Sequence, residues 1–298
     1  MIDGGSRRSA AWELWATVAV YAIAAVATVV TYTRLPAGGT YNFEGTGLVN
    51  GGLSRLVSDL SFPVAIAGIA WALVAAAVLG GRARVAAIVA ACLCAVTALP
   101  GVNPTDDLEA QWVNALPATG AVLAAVLALI ASSLRLPRRT WRGGDRVRLV
   151  LTVLLGLWAI PWMAAALGLY ASDIPLAGVL WNASAPTPGE PDLPSVHRGL
   201  HEGLFGVQLA VTALALSRLL AAVRPYVLRG CLSGYLAVML CYGVMVTAQD
   251  GWNEQVVKRG WTDTTLPNVL TPKLTLAWLG VLVAGALVHT LWFRREYR

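Results

Sequence analysis

Three groups of side chains in this chain have the types and spacing that chemistry needs. The first is His197-Arg-Gly-Leu-His201-Glu202, where His197 and His201 stand four residues apart and share one face of a helix. The second is Asp250-Gly-Trp-Asn-Glu254, an acid pair at the same spacing. Two helices that each offer such a pair can surround a divalent metal such as Zn²⁺, with His197, His201, Asp250 and Glu254 as ligands. Alternatively, His201, Glu202, Asp250 and Glu254 can serve as general acid and base. A hydrated helix mouth would need neither role, and His-x-x-x-His lacks the Glu of the zinc-protease pattern. The third group is Asp106, Asp107 and Glu109. Three carboxylates within four residues can hold Mg²⁺ for a diphosphate, or can simply cap the helix that follows.

Two arginines accompany these groups. Arg55 and Arg198 are each followed four residues later by an acid, Asp59 and Glu202. Each pair reads either as a local ion pair or as a holder for an anionic headgroup or carboxylate ligand.

The elements that must position these residues are membrane helices. Charged residues make up 13% of the chain and hydrophobic ones 57%, whereas soluble domains carry about 25% charged residues. The net charge of +6 does not indicate nucleic acid, because the basic residues cluster between apolar runs. Crossing the hydrocarbon core takes about 20 apolar residues. Uncharged runs of that kind cover 14–33, 60–81, 85–105, 110–134, 149–172, 230–249 and 274–293, and a shorter one covers 203–217, with Arg218 expected to snorkel from its end. The expected fold is an all-α integral membrane protein of about eight transmembrane helices. The run behind Arg7 and Arg8 is too long for the core of a cleaved signal peptide.

Orientation follows from the arginines. With the N-terminus inside, the inner segments hold 16 of the 22 basic residues and 4 of the 16 acidic ones. That bias predicts cytoplasmic N- and C-termini. The Ala, Val, Leu and Arg usage suits a bacterial cell membrane protein. The inner turns are short, and the outer loops, near 35–59, 101–114, 173–202 and 250–273, are long. Long loops carry function more often than short turns, so the working face is expected outside.

The halves 1–140 and 141–298 read as copies. Arg55-x-x-x-Asp59-x-x-Phe62 parallels Arg198-x-x-x-Glu202-x-x-Phe205, and Leu116-Pro117 parallels Leu266-Pro267. Four spans per half would make a tandem 4+4 repeat of parallel topology.

The remaining features narrow the function without naming it. Cys92 and Cys94 point about 200° apart on a helix and read as packing residues. Of the twelve tryptophans, Trp12, Trp141 and Trp292 fall in an interfacial belt, while Trp71, Trp158 and Trp278 sit deeper. The chain has no P-loop, dinucleotide fingerprint or nucleophile elbow, and no span carries an ionisable residue near its centre. The expectation is a multi-pass membrane protein with an extracytoplasmic His/carboxylate site, with or without a divalent metal, that binds or modifies a lipid-like or isoprenoid-like substrate. An accessory or sensor subunit and a solute transporter are the alternatives. Membrane lipids and a lipid-like or small-molecule ligand are the expected partners.

Overall fold

The computed structural model describes residues 8–9, 11–34, 46–99, 102, 111–134, 136–137, 141–166, 186–187, 190–194, 202–257, 260–270 and 272–296. A bilayer offers no water to backbone amides, so apolar segments satisfy their hydrogen bonds as helices. Eight α-helices form among the described residues: α1 (Trp12–Arg34), α2 (Ser54–Val78), α3 (Gly81–Ala95), α4 (Ala115–Ser133), α5 (Gly143–Ala166), α6 (Glu202–Ser217), α7 (Tyr226–Trp252) and α8 (Leu276–Leu291). Seven segments are long and apolar enough to cross a membrane, so the chain is an all-helical, multi-pass membrane protein. These seven are the segments built on every helix except α5. That 24-residue helix opens with Asp145, Arg146 and Arg148.

Strand pairing is minor. β1 (Arg8–Ser9) pairs with β2 (Leu136–Pro137), and β3 (Pro186–Thr187) with β4 (Glu190–Pro194). The first ribbon, with the bond from Ala11 N to Ser132 O, ties the start of α1 to the end of α4. The starts of α1 and α5 and the ends of α4, α6 and α8 thus gather at one end of the bundle, called here the Arg148 end. The opposite end carries Arg55 at the start of α2.

Small residues set the close contacts, as expected where lipid removes the hydrophobic drive between helices. A Cβ on Gly206 would lie 2.5 Å from Gly243 O, and one on Gly243 would lie 2.5 Å from Gly206 O, so α6 and α7 touch backbone to backbone. Gly68 fits α2 against Cys94 and Ala121, and Gly120 fits α4 against α3. Cys94 is buried in that contact, as a packing residue should be, whereas Cys92 is exposed and does not pack in the bundle, because the two point about 200° apart on α3. α4 packs on both α2 and α3, whereas α8 packs chiefly on α7. Trp71, fully buried, donates its indole N–H to Thr17 Oγ1 at 3.0 Å and meets Tyr21 edge-on, locking α2 to α1.

Candidate functional site

At the Arg55 end, α6 and α7 run side by side. Thr247 Oγ1 donates to Gly203 O at 3.1 Å, which sets Glu202, the first residue of α6, level with the last turns of α7. Asp250 is buried there. Glu254 follows in a π-helical turn, Asn253–Val257, and its side chain lies outside what the structure describes. His197, Arg198 and His201 lie outside the described residues, as do Asp106, Asp107 and Glu109. Among the described residues, no group of three His, Cys, Asp or Glu side chains is placed to hold a metal.

Arg55 is buried at the start of α2, with its guanidinium 4.9 Å from the centre of the Tyr32 ring. Asp59 sits one turn further along the helix, with its side chain outside the described set. Phe205 of α6 packs with Leu60 and Ala24, so the first turn of α6 backs directly onto α1 and α2.

Inward of Arg55 lies a slot of about 250 Å³ between α1, α2 and α4. It exists because α1 is held at two points and stands off between them. At one point Gly52 meets Val29 and Thr33, where any side chain would clash; at the other Trp71 holds Thr17 and Tyr21. Between them Ala22 and Ala25 face Ala118, Ala121 and Ala125, which are too short to close the gap. The α1 wall runs from Val18 to Ala25 and the α4 wall from Ala118 to Ala125, each about 10 Å of helix. Ser61 lines the wall with its buried hydroxyl unbonded to any described residue.

The strongest electrostatic cluster is one that motif spacing did not reveal. At the other end, Arg148 is buried and donates from Nε to Ser217 Oγ at 2.8 Å, from Nη1 to Asp145 Oδ1 at 3.2 Å and from Nη2 to Glu296 Oε2 at 2.5 Å. Arg218 lies within 3.4 Å of Glu13 and 3.2 Å of Asp145. Rather than snorkelling alone, it joins a network across α1, α5, α6 and the turn after α8. Trp292 Nε1 donates to Glu296 Oε1 at 2.6 Å, and Gly144 leaves room for that carboxylate. The partners are 69 and 148 residues apart in the chain. The one local sign of the network is an acid beside the basic residues at three helix ends, Glu13, Asp145 and Glu296.

A second feature missed in the sequence is a strap at the Arg55 end. The extended stretch 262–270 is fastened along the end of α7: Asn253 Oδ1 accepts from Leu266 N, Gln249 Oε1 from Val269 N, and Leu270 O from the Tyr242 hydroxyl. Tyr242 stacks on Trp278 of α8 at 5.2 Å.

Neither known protein families, curated proteins nor solved structures contain a match to this chain.

Proposed function

We propose that this chain binds the hydrocarbon chain of a lipid-like molecule in the slot between α1, α2 and α4, with the headgroup beside Arg55. The slot carries this reading: it is apolar, runs about 10 Å between α1 and α4, and its α2 wall begins at Leu56, next to buried Arg55. A guanidinium already placed near the membrane surface suits a phosphate or carboxylate head. In this reading α5 is the eighth span, both termini are cytoplasmic, and the Arg55 end faces outward, as the 16-to-6 split of basic residues favours. The halves 1–140 and 141–298 are then tandem repeats. His201, Glu202, Asp250 and Glu254, with or without a divalent metal, act on the bound head.

The test is lipid retention. Protein extracted in mild detergent should carry a chain-bearing lipid identifiable by mass spectrometry. Ala25→Phe and Ala121→Phe, which fill the slot, should lower its stoichiometry about tenfold at unchanged monodispersity, a loss of about 1.4 kcal/mol in binding. Arg55→Gln should weaken retention of anionic lipids more than of neutral ones. Equal lipid content in wild type and both slot-filling variants rules the reading out.

A further inference from the structure

The slot between α1, α2 and α4 is open along one side. Its floor is α2, where Leu60, Ser61 and Trp71 line it and are buried. Its two sides are α1 and α4, and at the rim the lining residues also reach the outer surface of the bundle. Val122 of α4 lines the slot and is 67% exposed, and Ala22 of α1 lines it and is exposed as well. The gap between Ala22 and Val122 therefore faces the hydrocarbon around the bundle. At the Arg148 end α1 and α4 are fastened to each other, by the β1–β2 ribbon and the bond from Ala11 N to Ser132 O. Towards the Arg55 end α1 rests instead on Gly52, just ahead of α2. The gap lies between these two points, where short side chains leave the helices apart.

A pocket must enclose an apolar ligand only where the open side would meet water. Lipid tails are as apolar as leucine, so a chain lying in the slot loses nothing by leaving one side to the bilayer. It gains close packing against three helices. The slot runs about 10 Å along α1, whereas half of a hydrocarbon core is about 15 Å. A chain of leaflet length overruns the slot, and the open side lets its remainder, or a second chain, stay in the membrane. End-on entry would bring the apolar chain from water past the buried Arg55 guanidinium. Sideways entry keeps the chain in hydrocarbon and the head at the surface throughout.

We infer that the slot is loaded sideways from the bilayer, through the gap between Ala22 and Val122, and that its ligand is a resident lipid of the leaflet at the Arg55 end. One chain enters the slot while the head stays beside Arg55 and any further chain stays outside. This route rests on the lipid reading above and adds the source of the ligand. Ala22 and Val122 are then gate residues. They set how fast a lipid comes and goes and not how much is held, because a rim that hinders entry hinders exit equally.

Lipid exchange tests the route in the full chain. Protein carrying its ordinary lipid is reconstituted into vesicles of chain-deuterated phosphatidylglycerol and phosphatidylcholine. It is re-extracted at intervals, and the deuterated fraction of the retained lipid is read by mass spectrometry. Ala22→Leu and Val122→Trp narrow the gap and leave the floor intact. Each should exchange at least about tenfold more slowly than wild type and reach the same final lipid content. Both positions are exposed, so at least one variant should fold normally. Val153→Trp, on the exposed face of α5, controls for a surface tryptophan and should exchange at the wild-type rate. Wild-type exchange rates in both gap variants overturn the sideways route; the slot itself still stands if Ala25→Phe holds less lipid at every time point. A wild type that holds neither ordinary nor deuterated lipid overturns the route and the lipid reading together.

Discussion

The two cavities share α1 as a wall and differ in what lines them. The slot on the α2–α4 side is walled by alanines, leucines and valines, with Ser61 as its unbonded polar group. The cavity of about 280 Å³ on the α5–α6 side also has mostly apolar walls, but Asp145, Arg148 and Arg218 of the ion network line part of it. α1 borders both: Tyr21, Ala22 and Ala25 line the slot, while Ala16, Thr17 and Val20 line the other cavity. The contrast teaches that one helix can separate an uncharged space from one bordered by paired charges.

The sharpest way to break the contrast is at the rim. Arg148→Leu leaves Glu296 without its buried cation and Asp145 with Arg218 alone, and should cost about 3–5 kcal/mol. It should appear as a large drop in detergent melting temperature, with partial recovery in Arg148→Leu/Glu296→Gln. Lipid retained per folded molecule should stay near the wild-type level. A parallel loss of lipid would mean that the two cavities are one coupled site.

A smaller effect is expected at the shared wall. Trp71→Phe removes the indole bond to Thr17 and should cost about 0.5–1.5 kcal/mol. Because Trp71 lines the slot, this variant should also lower lipid retention. Unchanged lipid content would show that Trp71 does not shape the slot.

The smallest effects discriminate best between a dry and a wet interior. Ser61→Ala deletes an unbonded hydroxyl in an apolar slot and should leave stability within about 0.5 kcal/mol of wild type or slightly raise it. Gln208→Leu removes a carbonyl oxygen buried without a partner among the described residues and should stabilise the protein by about 1–3 kcal/mol. Thermal unfolding of the two variants side by side checks both.

Much of the fold was legible in the sequence, and the reason is local. An uncharged run such as residues 14–33 must become a helix in lipid, whatever surrounds it, and α1 covers Trp12–Arg34. Trp71, placed deep in its span by sequence, is fully buried. The candidate site was less legible. A search for ionisable residues at mid-membrane depth passes over Gln208, because its significance lies in having no partner, and partners are a property of the packed bundle. Likewise, Gln249 and Asn253 read as ordinary polar residues at a helix end until the strap lies across them.

What the sequence determined by itself is the solvent this chain lives in and where its apolar helices run. These follow from hydropathy and charge read over windows of about 20 residues. The tertiary structure alone decided which side chains meet. Arg148 and Glu296 are 148 residues apart, and Trp71 and Thr17 are 54 apart. Those meetings depend on how closely glycines and alanines let helices approach, and on which face of α1 each neighbour takes. These are differences of a few ångströms between helices, which no single helix encodes.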